Sequence, residues 1–373
     1  MKGDLTVQRI PLNHLCPGMV TAKNIFSADG RVLIGEDVEL TQRYIERLAH
    51  FSILSVYVRN PYFEDAIPPE IISENSRVKL IQAVQQQFLA IRENRKWDPA
   101  QFVALAEKIV DEVGTNAQAM VQLTDIRSHN EFTFGHSVNV SVLCVLIGVA
   151  LKYPRTKLLE IALGGLLHDV GKMKITTDIL NKPAKLTADE YKVMQTHAEL
   201  GYDILRNSAS HIISRKSILM AFQHQEKPDG TGYPRQIVSA EIHEYSKIVS
   251  VADVYDAVTS DRPYHRGLFP HEAAMLLAEG MGKQFDVDVL TAFLTRVAIY
   301  SIGSVVELSS GQIGVVTKVS YGMQNRPILR LMLDQNRNPF GKKIVIDLHD
   351  YPTVEIVRVF GEDAVVELNK MAM

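Results

Sequence analysis

The histidines of this 373-residue chain are concentrated in one region, because nine of the twelve lie between His129 and His271. From about residue 123 to residue 298 the apolar residues recur mainly with helical spacing. Polar side chains on apolar helices are buried when those helices pack, and buried polar groups need partners. The sequence therefore predicts a helical bundle that encloses a cluster of histidines.

Composition and charge limit the function classes. Hydrophobic residues make up 46% of the chain, charged residues 22% and aromatic residues 7%, which is typical of a folded globular protein. The formal net charge is −3, so no general positive field is available to hold a long nucleic acid. An anionic ligand has to be bound by local groups.

The cellular compartment is predicted from two further features. Cys16 and Cys144 are the two cysteines and form no CxxC pair, which favours a reducing compartment and argues against a disulfide scaffold. The longest apolar stretch, Val140 to Leu151, has about twelve residues, whereas a membrane span needs roughly twenty. We expect a cytoplasmic chain without a membrane segment.

The hydrophobic patterns divide the chain into four segments. Thr41 is a plausible helix cap in the first segment, and the short β-type runs after Gly303 indicate strands. The helical pattern from about Ser73 to Val121 suits connecting helices or a dimerising pair. The predicted segments are 1–62, a small α/β module; 63–104, a helical linker; 105–300, an all-α helical bundle; and 301–373, a small all-β domain.

His168 and Asp169 are adjacent at the end of the apolar segment LLEIALGGLLHDVGK, where Gly171 marks a helix C-terminus. Neighbouring side chains on a helix point about 100° apart. The pair can therefore bind metal together only when other helices bring further ligands to it. A chance surface His-Asp pair is the alternative explanation for the dipeptide alone.

Three more histidines lie on apolar or capped helical segments. His136 opens HSVNVSVLCVLIGVAL, His197 follows a capping box at Thr187, and His224 precedes the turn-rich run QEKPDGTGYP. Taken singly, each is also consistent with a core, capping or solvated histidine. Their value as evidence comes from their number.

Asp253 and Asp256 are three residues apart in VADVYDAV, among valine and alanine positions with a core-facing pattern. Buried carboxylates need a partner, and cations are the natural one. Four histidines and two aspartates on separate apolar helices therefore indicate a metal site.

The successive motifs GLLHDVGK, THAELGYDIL, HQEKPDGTGYP and VADVYDAVTSDRPY resemble those of the HD-GYP domain. This family belongs to the metal-dependent HD phosphohydrolases and includes cyclic di-GMP phosphodiesterases. The resemblance covers roughly residues 105 to 298. The flanking segments resemble small modules that accompany this domain in bacteria, and their roles are not implied.

The resemblance assigns roles residue by residue. Asp169 would bridge two metal ions, and the implied catalytic residues are His168, Asp169 and Lys172. The implied metal ligands are His136, His168, Asp169, His197, His224 and Asp253. The implied substrate-binding residues are Lys172, Asp256, Arg262, Gly232 and Tyr233. They would lie near the substrate phosphates, behind the metal ligands, or in the signature loop Gly232-Tyr233-Pro234. Ordinary surface solvation is the alternative for Lys172 and Arg262.

Two positions depart from the family pattern. Gln225 replaces a histidine that many members have after the position of His224, and an amide oxygen is a poorer ligand for transition metals than imidazole. Members with three metals carry a glutamate at the position of Phe132, and Glu131 is one residue away. We therefore expect two metals, with weakened binding at one of them.

The resemblance implies that cyclic di-GMP is hydrolysed to pGpG, with GMP as a further product, by a hydroxide that bridges two divalent ions. The mixed ligand set and the family both favour Fe or Mn. Alternatives are a phosphodiesterase for another cyclic dinucleotide, such as cyclic GMP-AMP, and a cyclic-dinucleotide sensor or scaffold with a weakened site. Further expected partners are a signalling protein at the Gly232-Tyr233-Pro234 loop and a second copy of the chain.

Overall fold

The chain forms two compact units, each described here by itself. One unit contains residues 70–297, and the other contains residues 1–69 together with 298–373. The structure, a computed structural model, describes residues 8–27, 31–51, 53, 55–60, 63, 66, 71–115, 132–182, 184–260, 267–320 and 322–372. The sequence predicts separate N- and C-terminal modules, whereas the structure joins these segments in one unit.

The unit that contains both chain termini combines small sheets and two helices. Strand β1 (Gln8–Pro11) pairs with β4 (Ser55–Val58), β2 (Ile25–Phe26) pairs with β3 (Val32–Ile34), and helix α1 is Gln42–His50. As predicted, Thr41 caps α1, because its side chain accepts a hydrogen bond from the Tyr44 amide. The Asp29-Gly30 dipeptide, which predicts a hairpin turn, lies outside the described residues.

The C-terminal segment forms one antiparallel sheet with the strand order β8-β7-β6-β5-β9. Its strands are β5 Val305–Leu308, β6 Ile313–Lys318, β7 Ile328–Leu333, β8 Pro339–Asp347 and β9 Ile356–Val359. The sequence predicts strands at four runs, SVVEL, IGVVTKV, ILRLMLD and KKIVIDL, and these form β5 to β8. The predicted all-β segment ends instead in a helix, α13 (Glu362–Ala372).

A buried polar cluster joins the two ends of the chain within this unit. The Gln8 side-chain oxygen accepts hydrogen bonds from the amide groups of Asn60, at 2.6 Å, and of Asn369, at 3.0 Å. All three side chains are buried. Such a contact between residues more than 300 positions apart has no local sequence signature, which explains why two modules are predicted where one unit forms.

The second unit is built from helices around one apolar core. Its helices are α2 Glu74–Arg92, α3 Pro99–Thr115, α4 Phe132–Ala150, α5 Arg155–Leu167, α6 Thr177–Leu180, α7 Ala188–Gln195, α8 His197–Ser208, α9 Arg215–Gln223, α10 Glu244–Thr259, α11 Pro270–Glu279 and α12 Val287–Leu294. The mostly helical architecture with small N-terminal strands and a C-terminal sheet confirms the predicted fold at this level.

Helix α4 is the central element of the bundle. Helices α2, α3, α5, α10 and α12 all pack against it. Its segment Thr133–Ala150 has a mean hydropathy of 1.7 and is long and apolar enough to cross a membrane, but 83% of it is buried inside the bundle. A helix that is apolar on all sides and covered by other helices is a core helix.

Helices α4 and α5 approach each other closely at one glycine. A Cβ atom on Gly165 would lie 2.8 Å from the Cα of Ser141, so a side chain there would push the helices apart. The Ser141 hydroxyl donates a hydrogen bond of 2.8 Å to the Ala162 carbonyl across the same contact. This contact fixes the end of α5 beside the middle of α4.

Helices α2 and α3 belong to the bundle, although the sequence predicts a linker over 63–104. Phe88 of α2 is fully buried, and its ring centroid lies 5.8 Å from that of Phe102 and 6.0 Å from that of Phe134. Gln87 fixes the turn between the two helices, because its side-chain oxygen accepts the Asp98 amide at 2.9 Å.

Replacement of Phe88 tests whether α2 is part of the bundle core. Phe88→Ala is expected to lower the free energy of unfolding by about 3–5 kcal/mol, because it removes a buried ring and leaves a cavity. The measurement is urea unfolding followed by the helical circular dichroism signal. Leu276→Ala, at a position of the same unit that is 43% exposed, is the control and should change stability by less than about 0.5 kcal/mol. Equal effects of the two substitutions would contradict this packing.

Candidate metal centre

The His168-Asp169 pair lies where α5 changes into a tighter turn. Helix α5 ends at Leu167, His168 is its C-terminal cap, and a 3-10 turn follows from Val170 to Lys174. The two side chains therefore meet, with 3.4 Å between His168 Nε2 and Asp169 Oδ2. The predicted divergence of about 100° applies to a continuous helix, and the break at residue 168 removes it.

Gly171 allows helix α8 to pack directly on this turn. A Cβ atom on Gly171 would lie 1.9 Å from the carbonyl oxygen of His197 and 2.5 Å from the amide nitrogen of Gly201. No side chain fits between these backbone segments. The contact brings the first residue of α8, His197, beside Asp169.

All four predicted histidine ligands form a hydrogen bond through Nδ1. His168 Nδ1 donates to the Gly165 carbonyl at 2.8 Å, His197 Nδ1 to Met194 at 2.7 Å, and His224 Nδ1 to Ala221 at 3.0 Å. His136 Nδ1 donates to Asp256 Oδ2 at 2.7 Å. Carbonyl and carboxylate oxygens only accept, so Nδ1 carries a proton and Nε2 of each ring is the atom that could bind a metal ion.

The carboxylate of Asp169 lies between two pairs of histidines. Oδ2 is 3.6 Å from His136 Nε2 and 3.4 Å from His168 Nε2. Oδ1 is 3.4 Å from His197 Nε2 and 3.6 Å from His224 Nε2. Each oxygen therefore faces a different pair of imidazoles.

Asp253 completes the first of these two groups. Its Oδ1 lies 3.1 Å from His136 Nε2 and 3.9 Å from His168 Nε2. Two sets of side chains are close enough to hold an ion each, and His168 is common to both: His136, His168 and Asp253 form one, and His168, Asp169 and His224 form the other. All six predicted ligands are thus brought together.

Ionisation in the centre reflects burial and mutual charge. Burial alone lowers the pKa of His136, but hydrogen bonds with Asp253 and Asp256 outweigh it and raise that pKa to about 10. Burial, helped by His224 and Lys172, lowers the pKa of His197 to about 3. Burial opposes ionisation of Asp169, but the charge of Lys172 and the neighbouring histidines hold its pKa well below its usual range.

The donor set fits divalent cations. His168 Nε2 and Asp169 Oδ1 are buried and have no hydrogen-bond partner among the described residues. His197 Nε2 and His224 Nε2 lie only 3.0 Å apart, although both rings use their Nδ1 proton elsewhere. Unpartnered acceptors that converge in a buried space favour a cation. Metal ligation at His136 would replace the Nε2 proton directed at Asp253.

Asp256 lies behind this ligand set. It is 1% exposed, and its Oδ1 accepts a hydrogen bond of 3.0 Å from Asn139 while Oδ2 accepts from His136. Both oxygens are therefore engaged away from any substrate. Of the two predicted positions for Asp256, near the phosphates or behind the ligands, this placement favours the second, where its carboxylate orients His136.

Gln225 contacts a ligand through its amide nitrogen. Nε2 donates a hydrogen bond of 3.0 Å to Asp253 Oδ2, so the glutamine holds one oxygen of that carboxylate. The sequence predicts Gln225 as a poorer replacement for a ligand. The structure places it where it supports Asp253.

The signature loop is fixed next to the centre by Glu226. This buried carboxylate accepts the Arg235 amide at 2.7 Å and the Ile237 amide at 3.2 Å. Gly232 is buried, and the ring of half-buried Tyr233 lies 6.2 Å from that of His197. The predicted substrate-lining role of Gly232 and Tyr233 stays a prediction with this placement.

The predicted basic residues have different surroundings. Lys172 pairs with Asp169 Oδ2, and its side chain is 22% exposed, so it lies between the centre and solvent. Arg262 lies outside the described residues, as does Glu131.

Sequence reasoning missed Asn139 and Glu226. Asn139 is three residues after His136 on the same helix, so the helical spacing places both on one face. That spacing could have indicated a shared role. Glu226 is part of the quoted HQE motif, but its role depends on backbone amides that come near it only in the folded loop.

Two families match separate parts of the chain. Residues 120–289 match the HD domain, and residues 305–368 match the KOW domain associated with HD domain.

Three curated relatives are similar to part of this chain. A cyclic di-GMP phosphodiesterase of Pseudomonas aeruginosa is 37% identical over 63% of this chain and 56% of its own length. A cyclic di-GMP phosphodiesterase response regulator of Xanthomonas campestris is 41% identical over 34% of each chain. A 3'3'-cGAMP-specific phosphodiesterase of Vibrio cholerae is 33% identical over 47% of this chain and 37% of its own length. The chain spans little more than half of the first relative and about a third of the other two.

The contact at Gly171 leads to a test of how the centre is assembled. Gly171→Ala is expected to reduce the bound metal several-fold or more and to destabilise the helical unit, because its Cβ would clash with the backbone at His197. The measurements are metal content after reconstitution and thermal unfolding. Gly114→Ala is the matched control, since a Cβ there meets nothing within 4 Å, and it should leave metal content unchanged. Normal metal content in Gly171→Ala would contradict the assembly described here.

Proposed function

We propose that the chain, whose residues 120–289 match the HD domain, is a metal-dependent phosphodiesterase that opens a cyclic dinucleotide. The preferred substrate in this proposal is cyclic di-GMP, and the product is linear pGpG. Two of the relatives reported above carry that activity in their names, which supports the choice.

One observation carries the proposal. Four imidazole Nε2 atoms and the carboxylates of Asp169 and Asp253 converge in a buried space, with two ligand atoms that lack partners among the described residues. A structural cluster of this size would be expected to satisfy its own polar atoms. A cluster that binds cations is expected to leave them free.

We propose that the six side chains hold two divalent ions and that Asp169 contacts both, because its two oxygens face different histidine pairs. Such ions supply a water nucleophile at neutral pH and positive charge for the phosphate oxygens. Histidine and carboxylate ligands together favour Fe or Mn over Mg or Ca.

The protein's own groups orient and complete this centre. The Nδ1 hydrogen bonds keep each imidazole in the tautomer that presents Nε2. Lys172 is partly exposed beside Asp169, where its ammonium group can contact a substrate phosphate. Tyr233 belongs to the signature loop and lies beside His197. This position suits contact with the rest of the dinucleotide.

A second substrate is the specific alternative, because one relative is named as specific for 3'3'-cGAMP. The phosphodiester chemistry is the same for both, and only contacts with the bases distinguish them. We place the reaction in the cytoplasm, in keeping with the free thiols of Cys16 and Cys144.

The first test is hydrolysis by the purified, metal-loaded protein. Cyclic di-GMP is expected to yield pGpG, and 3'3'-cGAMP, cyclic di-AMP and a linear dinucleotide complete the substrate panel. The measurement is product separation by chromatography at several substrate concentrations. Faster turnover of 3'3'-cGAMP would replace the preferred substrate, and no turnover of any cyclic dinucleotide would refute the proposal.

Variants of the HD pair test the source of this activity. His168→Ala and Asp169→Ala are each expected to reduce kcat by about 1000-fold or more, because each removes a ligand from the proposed reaction centre. His211→Ala removes an exposed histidine of the same unit and should leave activity unchanged. Persistent activity in both ligand variants would show that a contaminant or another site is responsible.

Gln225 makes a separate prediction about metal binding. Gln225→His is expected to raise metal occupancy, because imidazole binds transition metals better than an amide does and the substitution adds a donor beside Asp253. Metal per chain is measured after dialysis against a fixed free-ion concentration. Unchanged or lower occupancy would show that Gln225 acts through its hydrogen bond to Asp253.

A further inference from the structure

A chain of hydrogen bonds connects helix α2 with the metal centre. The guanidinium group of Arg77 donates to Asn139 Oδ1, and Asn139 Nδ2 donates to Asp256 Oδ1 at 3.0 Å. Asp256 Oδ2 then accepts from His136 Nδ1 at 2.7 Å. Asn139, Asp256 and His136 are all buried, so water does not replace these contacts readily.

The chemistry of the groups gives this chain of bonds a direction. Arginine has donors and no acceptor, so it can hold only the oxygen of the Asn139 amide. The NH₂ group of Asn139 must then face Asp256, which can only accept as a carboxylate. Asp256 in turn requires the proton of His136 on Nδ1, and Nε2 becomes the atom that faces Asp253.

Helix α2 has a second contact near the ligands. Lys174, in the 3-10 turn that follows Asp169, donates a hydrogen bond of 2.8 Å to the Ile91 carbonyl in the last turn of α2. A cation at this end of a helix also interacts favourably with the helix dipole. The two ends of α2 thus contact two different ligand-bearing segments.

From this geometry we infer that α2 is a positioning element of the metal centre and that Arg77 orients the ligand His136 through Asn139 and Asp256. The inference rests on the proposed metal-dependent function. It extends the functional unit beyond the region that matches the HD domain, which begins at residue 120, whereas Arg77 lies in α2.

The effect on the centre follows from the bonds that are lost. Without Arg77 the Asn139 amide loses a hydrogen bond that fixes its orientation, and the hydrogen bond to buried Asp256 weakens. His136 then loses its fixed orientation. Loss of a group that orients a ligand typically costs 10- to 100-fold in metal affinity, and Arg77 acts at one further remove, so a loss of about tenfold is expected.

The experiment measures metal binding before activity. Metal-free full-length protein is titrated with Co²⁺, whose absorption spectrum reports the ligand geometry, and with Mn²⁺ in competition. Arg77→Met is expected to weaken apparent affinity about tenfold and to alter the Co²⁺ spectrum. Arg77→Lys, which keeps one donor for Asn139, should restore most of the affinity. Lys79→Met, an exposed cation of the same helix, is the matched control and should behave like the unaltered protein.

A double-variant cycle separates positioning from general destabilisation. Asp256→Asn is expected to weaken metal affinity by itself. If Arg77 acts through Asp256, adding Arg77→Met to Asp256→Asn causes little further loss, so the two effects are not additive. Additive losses would mean that Arg77 affects metal binding through fold stability alone and would overturn the inference. Thermal unfolding of each variant is recorded alongside.

The outcome is independent of the substrate proposal. Arg77→Met with unchanged Co²⁺ affinity and spectrum refutes the positioning role, even when the unaltered protein hydrolyses cyclic di-GMP. Conversely, a protein that binds metal and hydrolyses no cyclic dinucleotide refutes the proposed substrate, while a non-additive cycle still supports the role of Arg77. In an active enzyme, Arg77→Met should lower kcat at saturating metal more than it changes KM, because Arg77 touches no substrate.

Discussion

The buried carboxylate of Asp169 is the constraint on which the metal centre depends. A charge with almost no exposure is costly unless cations or donors surround it. Here Lys172 and four imidazoles surround its two oxygens. These groups come from the turn at the end of α5, from α4, from α8 and from the end of α9. The break of α5 at His168 and the glycine contacts at 165 and 171 are the packing features that allow this convergence.

A second layer of groups holds these candidate ligands in a fixed orientation through hydrogen bonds. Three histidines are held by carbonyls three residues earlier in the chain, which ties each ring to local backbone geometry. His136 differs, because its Nδ1 partner is the side chain of Asp256 on another helix. The orientation of His136 therefore depends on tertiary contacts that reach α2. Among the candidate ligands, it is the one whose orientation depends most on residues outside the region that matches the HD domain.

Much of the site could be predicted because its residues lie in recognisable motifs on helices with clear apolar patterns. The family resemblance implies the six candidate ligands, which the structure brings together. Local patterns predict the helix cap at Thr41 and four C-terminal strands, and the structure contains them. The ninth strand is short and largely exposed, so its alternation is weak. The sequence predicts helix α2 as a linker. The residues that cover its buried face lie far along the chain, and local spacing does not show such contacts.

Residue type and order along the chain were enough to indicate the candidate ligands and the helical class of the domain, since metal affinity is a property of side-chain chemistry and helices have a local period. Which atom of His136 faces the centre, the contact of Asp256 with His136, and the contact of Gln225 with Asp253 were decided by packing. These choices depend on hydrogen bonds between residues dozens to more than a hundred positions apart. Distances of that kind exist only after the helices have met.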